Sequence, residues 1–134
     1  MVKTLTLTNL EIYSLANQLA EAFNTGDNTE HLPIKINFFL QKNMKIMLDL
    51  GQDIDKTRTE IIQRYGVLNQ ETNNYDIPAE KVQDAQKELT DLFDIEQEVK
   101  INMLDINLFD TVDISEKKGN AILFMIYDPD EEKE

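Results

Sequence analysis

Residues 32–65, LPIKINFFLQKNMKIMLDLGQDIDKTRTEIIQRY, constrain the fold of this chain more than any other stretch, because they read as a single helix. Pro33 stands in the first turn, where the N–H that proline lacks has no intrahelical partner. Gly51 is the interior residue that opposes the helix, at about 1 kcal/mol relative to Ala. Leu40, Met47, Ile54 and Ile61 recur every seventh residue, and Met44, Gly51, Arg58 and Tyr65 form a second, weaker line beside them. This is a coiled-coil-like stripe, and it demands a partner along its length. At about 1.5 Å per residue such a helix is about 50 Å long, more than a compact domain of this size encloses. Residues 34–50 are apolar nearly all round and are expected inside the globule. Residues 52–64 keep only a narrow stripe and are expected to project with one face covered.

The flanking sequence supplies candidate partners. KTLTLT (residues 3–8) alternates Leu5 and Leu7 with threonines, as a strand with one buried face does. Thr8 then caps a helix with Glu11 as its capping-box partner. On that helix Ile12, Leu15, Ala16, Leu19, Ala20 and Phe23 share one face, and a polar loop, GDNTEH, leads back antiparallel into the long helix. Gly66 ends the long helix. Val67–Leu68 and Tyr75–Ile77 around a polar ETNN turn suggest a small β-hairpin, and Pro78 opens a further helix in which Val82, Ala85, Leu89, Leu92 and Val99 follow a 3–4 spacing interrupted by Glu96. That helix should fold back on residues 51–65 and stop near Asp94. Val99, Ile101 and Met103 then alternate with polar residues, a strand whose natural mate is residues 3–8.

Near the C-terminus two signals compete. Ser115 before Glu116 favours a capped helix, whereas Gly119–Asn120 favours a hairpin turn into a strand. The helix is the preferred reading. The expected class is α+β, mainly α: a long central helix in helical hairpins with a small antiparallel β element. Residues 1–127 would form one domain with a projecting arm at about 51–95, and DPDEEKE (residues 128–134) a disordered acidic tail.

Charge narrows the functional classes. The formal net charge is −13, and it is unevenly spread. Residues 1–67 carry 7 Lys/Arg against 8 Asp/Glu, a net of −1, whereas residues 68–134 carry 6 against 18, a net of −12. A surface this negative repels nucleic acid and anionic membranes and attracts basic proteins. The sequence has no cysteine, which excludes disulfides, thiolate metal sites and cysteine nucleophiles. It offers no apolar run of membrane-spanning length, and its first residues lack a signal-peptide core, so a cytoplasmic location is expected.

Catalytic chemistry finds little to work with. His31, the only histidine, lies in a charged loop before Pro33 and reads as solvated. Ser14 and Ser115 stand outside any nucleophile-elbow sequence, and the four glycines are too far apart for a phosphate loop. Asp53 and Asp55 point in different directions on a helix, Asp128 and Asp130 sit in the tail, and neither pair offers the oxygens that calcium needs. No enzyme activity, cofactor or metal is expected. Met44, Met47, Met103 and Met125 read as adaptable core.

The most specific signal is acidic. Glu80, Asp84, Glu88, Asp91, Asp94 and Glu98 lie within about a third of a helix circumference, provided the helix runs that far. A solvated outer face accounts for such a pattern; a negative ridge that docks on an Arg/Lys-rich protein, or imitates phosphates, is the functional alternative.

The run RYGVLNQETNNYDIPAEKVQDAQKELTDLFDIEQEVKI resembles a pattern in small acidic proteins of Gram-positive siphophages and prophages. In these, Arg/Lys-Tyr-Gly ends a helix, a polar turn leads to Ile/Val-Pro, and an acidic helix with Lys-Glu-Leu precedes a Glu-Val strand. TLTLTNLEIYSLANQLAEAF and LPIKINFFLQKNM are similar to the N-terminal part of the same family, so the resemblance covers roughly residues 3–126. The family is a domain of unknown function. The resemblance therefore implies a phage or prophage origin, with the cytoplasm of the bacterial host or the virion as location, and carries no activity over. Two functions follow as expectations: a non-enzymatic adaptor in virion assembly or host takeover, or an acidic nucleic-acid mimic that inhibits a host enzyme or defence complex. A homodimer through the arms is a further expectation, since two thin apolar stripes expose what they do not bury.

Overall fold

The computed structural model describes residues 1–23 and 32–131. The polar loop with His31, and the last residues of the acidic tail, lie outside the described residues. Strand β1 (Val2–Thr8) leads directly into helix α1 (Asn9–Phe23). The junction is the expected capping box. Thr8 N donates to Glu11 Oε1 at 3.0 Å, and Glu11 N donates to Thr8 Oγ1 at 3.1 Å, so two donors at the helix start are satisfied reciprocally.

Helix α2 (Ile34–Tyr65) has 32 residues, and Gly66 caps its end, donating its N–H to Ile62 O at 2.8 Å. The heptad line is the buried seam: Leu40, Met47, Ile54 and Ile61 are all buried, and Gly51 with them. Helix α1 packs antiparallel on it. Ala16 lies so close to Gly51 that a Cβ added there would meet Ala16 Cβ at 2.7 Å. Glycine is thus required by the approach of the two helices, which offsets its intrinsic cost in a helix.

A three-residue-a-side hairpin follows, β2 (Val67–Asn69) and β3 (Asn74–Asp76), with Val67 opposite Asp76. After a single turn at Ala79–Lys81, α3 (Val82–Asp94) returns antiparallel along the last turns of α2. Ala85 is buried against the seam. Arg64 reaches Glu88 at 2.8 Å, and the Phe93 ring meets Tyr13 edge-on at 5.6 Å between centroids, so α3 touches α2 at one end and α1 at the other. The stripes on α2 and α3 thereby find cover within the chain, which removes the observation behind a homodimer through the arms.

Strand β4 (Glu96–Asn102) pairs antiparallel with β1, as the alternation of Val99 and Ile101 requires, with Leu5 opposite Val99 and Lys3 opposite Ile101. A parallel pair of two-residue strands follows, β5 (Leu104–Asp105) and β6 (Ile126–Tyr127). Between them Ser115 caps α4 (Glu116–Ile122), its Oγ accepting from Lys118 N at 3.3 Å. The helix signal prevails there over the Gly119–Asn120 turn signal, and a short strand follows it. The core gathers Ile12 and Leu19 of α1, Ile36, Leu40 and Met47 of α2, Val99 and Ile101 of β4, and Ile122 and Met125 beyond. Met47, Met103 and Met125 are buried and Met44 is packed against them, as core. Of the acidic tail, residues 128–131 form a turn in which Asp130 N donates to Asp128 Oδ1 at 2.9 Å.

One expectation needs correction. The first half of α2 is not enclosed all round: Ile34 is 83% exposed, Phe38 57% and Phe39 37%. Helix α1 covers one side of this segment and β4 with the C-terminal elements another. Among the described residues no element covers the third.

Two buried asparagines were not legible as core. Asn43, fully buried on α2, donates through Nδ2 to Asn102 O at 2.8 Å and accepts on Oδ1 from Asn102 N at 2.9 Å. Its amide occupies the edge of β4 opposite β1, where a third strand would otherwise pair. Asn9 serves the other end of the same strand, donating to Leu92 O at 2.9 Å and accepting from Gln97 Nε2 at 2.7 Å. Buried polar groups persist where each bond is made, and these two bind α1, α2 and α3 to β4.

Candidate functional site

The outer face of α3 carries the acidic positions. Ala85, Leu89 and Leu92 turn toward the rest of the chain; at 100° per residue Asp84, Asp91 and Asp94 fall on the opposite side, and Glu88 on the flank, about 40° from Leu92. Asp84, Asp91 and Asp94 are exposed, and Glu80 in the preceding turn is exposed as well. Lys87 lies on the same face, between Asp84 and Asp91. Glu88 and Glu98 do not belong to a free ridge. The helix ends at Asp94, so Glu98 lies in β4, exposed on a strand whose alternate residues face the core. A strand period of two takes over from the helical period there, which breaks the six-residue alignment.

Glu88 is engaged within the chain. Arg64 Nη1 donates to both of its oxygens, at 2.8 and 3.1 Å, and the Tyr65 hydroxyl hydrogen-bonds it as well. The Tyr65 bond, with Arg64 adding its own bond and charge, holds the Glu88 carboxyl below its ordinary 4.5; partial desolvation acts against this. The same bond is the main cause that raises the Tyr65 hydroxyl above 10.0, helped by desolvation and by the charges of Glu88 and Asp84. These three residues fasten α3 to the end of α2. In the sequence Tyr65 belongs to the weaker line of the stripe and Arg64 to the end of the helix, and nothing in the spacing links either to Glu88, 24 residues from Arg64.

A separate concavity of about 640 Å³ lies between α1 and α2. Ala16, Leu19, Ala20, Met44 and Gly51 make its apolar floor, and Asn17, Gln52, Asp55 and Lys56 its polar margin. Asp55 is already held, by Tyr13 Oη at 3.0 Å and by Arg58 Nε at 3.1 Å. The groove is a cleft along a helix pair. No convergent set of titratable groups lies in it.

Elsewhere the chemistry is sparse. Among the described residues no three His, Asp or Glu side chains gather as metal ligands. Asp53 is exposed and Asp55 half-buried, on different sides of α2. Ser14 is exposed, and Ser115 is the cap of α4. No helix among the described residues is long and apolar enough to cross a membrane.

The uncovered side of α2 is of opposite character to α3. From Ile34 to Leu48 the helix has three lysines, Lys35, Lys42 and Lys45, and no carboxylate. All three are exposed, and none pairs with a carboxylate among the described residues. Lys42 Nζ lies 5.4 Å from the centroid of the Phe38 ring, in cation–π contact. The hydropathy of Ile34, Phe38 and Phe39 argues for core, which hides this face in the sequence. No family model, curated protein or solved structure matches the chain.

Proposed function

We propose that this protein works by protein–protein interaction and not by catalysis, through the acidic outer face of α3, with a protein of basic surface as its partner. The observation that carries the reading is the set Glu80, Asp84, Asp91 and Asp94. All are exposed and turned away from the seam, in the half of the chain that holds a net charge of −12. A field of that sign steers a basic partner into encounter and makes association fall with salt. The phage-type pattern noted in the sequence favours an adaptor in virion assembly or host takeover, acting in the cytoplasm of the bacterial host. An inhibitor that imitates nucleic acid is the other reading of the same carboxylates.

The test is capture of partners from infected cells with the tagged chain and with Asp84→Lys/Asp91→Lys/Asp94→Lys. The expected result is a bound protein that the triple reversal releases at low salt. Equal capture by both would reduce the acidic face to a solvated surface. If nucleic acid competes for the captured partner, the mimic reading gains; if it does not, the adaptor reading gains. Glu88 is left out of the reversal because its loss would unfasten α3 from Arg64 and Tyr65.

A further inference from the structure

Among the described residues two helix faces are left without cover, and they are complementary. One is the side of α2 formed by Ile34, Lys35, Phe38, Lys42 and Lys45, which lie within about a third of the helix circumference at 100° per residue. The other is the acidic face of α3. Lys35, Lys42 and Lys45 are separated by seven and three residues, and so are Asp84, Asp91 and Asp94. Along either axis the charges therefore stand about 10 and about 4.5 Å apart, at ~1.5 Å rise per residue.

The two faces cannot meet within one chain. Helix α3 packs along the last turns of α2, where Glu88 meets Arg64, whereas the lysines belong to its first turns. Lys42 is 22 residues before Arg64 on a continuous helix, about 33 Å along the axis at ~1.5 Å per residue. The lysine face also carries apolar residues, since Ile34 and Phe38 are among the most exposed large apolar side chains of the described residues. A face of this kind gains by excluding water, and its basic margin selects an acidic partner.

We propose that the Ile34/Phe38 face of α2, with Lys35, Lys42 and Lys45, docks on the Asp84/Asp91/Asp94 face of α3 in a second copy of this chain. The contact joins two different surfaces, so it is head-to-tail. Repetition closes into a ring or continues as a filament according to the rotation between copies. Each contact hides the exposed apolar residues of one copy and neutralises part of the acidic excess of the next. The inference rests on the reading of α3 as a docking face for its acidic half alone; the apolar, basic half stands on its own exposure.

Sedimentation velocity across a concentration series tests it, near physiological salt, where a Debye length of about 8 Å screens the repulsion between whole molecules more than the paired charges. The wild-type chain is expected to give species heavier than one chain, increasing with concentration. Lys35→Glu/Lys42→Glu/Lys45→Glu alone and Asp84→Lys/Asp91→Lys/Asp94→Lys alone are each expected to sediment as single chains. All six positions are exposed, and unchanged thermal unfolding would show that the fold is kept. An equimolar mixture of the two variants restores complementarity at both contacts, with reversed sign where the glutamates of α2 meet the lysines of α3 and with native sign at the other, and so regains the heavier species. Phe38→Ser should weaken the wild-type assembly without touching a charge.

A wild-type chain that stays single at every concentration overturns the inference. So does association that survives either triple reversal, or a mixture that remains single. A monomeric wild type that still captures a basic partner through Asp84, Asp91 and Asp94 overturns this inference and leaves the proposed function standing.

Discussion

Replacing Asn43 with Ala removes a side chain that closes the outer edge of β4 at Asn102. In the native chain its amide donates to Asn102 O at 2.8 Å and accepts from Asn102 N at 2.9 Å, with no exposure of its own. Alanine leaves a backbone N–H and a carbonyl without partners, beside space next to Met125, whose sulfur lies 3.3 Å from Asn43 Nδ2. An unsatisfied buried group costs roughly 1–3 kcal/mol. Asn102 is half-buried, so water relieves part of that cost and the lower end applies, roughly 2 kcal/mol for the two groups. Lost packing adds about 1 kcal/mol. The total of about 3 kcal/mol would lower Tm by about 10 °C in a chain of this size. Denaturant titration reads the change directly as a shift of midpoint at constant slope.

Asn43→Asp separates hydrogen bonding from packing. The carboxylate has nearly the same shape and still accepts from Asn102 N, but it turns an oxygen toward Asn102 O. Burial and that carbonyl raise the pKa of the new carboxyl above its unfolded value of about 3.9. A folded pKa above the unfolded one means that destabilisation is full at neutral pH and shrinks as pH falls toward the unfolded value. Asn43→Asp should therefore be worse than Asn43→Ala at pH ~7 and recover in mild acid. A midpoint for Asn43→Ala within about 0.5 kcal/mol of wild type, the range of ordinary surface changes, would refute the reasoning. A pH-independent deficit for Asn43→Asp would refute the bond assignment.

Three more outcomes are expected. Ile61→Asp puts a charge into the buried seam between α2 and α3 and should cost several kcal/mol, well above the ~1 kcal/mol typical of point changes; an unchanged denaturant midpoint would mean the helices do not meet there. Gly51→Ala, which gains about 1 kcal/mol in an ordinary helix interior, should fail to stabilise because its Cβ meets Ala16 at 2.7 Å. Ala16→Gly in the same chain should restore the gain, as a double-mutant cycle would read. The depressed Glu88 pKa contributes stability that is present above the unfolded value, near 4.5, and is lost as pH falls through the lower folded value. Thermal unfolding of Glu88→Gln against wild type should accordingly differ at neutral pH and converge in acid.

The fold was legible wherever local chemistry and periodicity agree. A strand of alternating leucines, the Thr8–Glu11 capping box, the heptad of Leu40, Met47, Ile54 and Ile61, and the Ser115 cap each specify their element from neighbours within a few residues. Such signals survive in one dimension because the partners are i+2, i+3, i+4 or i+7 along the same chain segment. The pairing of β1 with β4 was also readable, since only two strands of matching length and alternation were on offer.

Tertiary structure decided what depends on partners far apart in sequence. Asn43 and Asn9 are polar residues on helices, and nothing local distinguishes them from solvated ones; only the arrival of β4 and the end of α3 makes their burial favourable. Glu88 was counted with the acidic face, yet Arg64 and Tyr65, brought over by the antiparallel return of α3, turn it into a fastening. The reverse holds at Ile34 and Phe38, whose hydropathy argues for burial. Burial needs a covering element as well as an apolar side chain, and α1, β4 and the C-terminal elements approach α2 from other directions, leaving these residues exposed among three lysines.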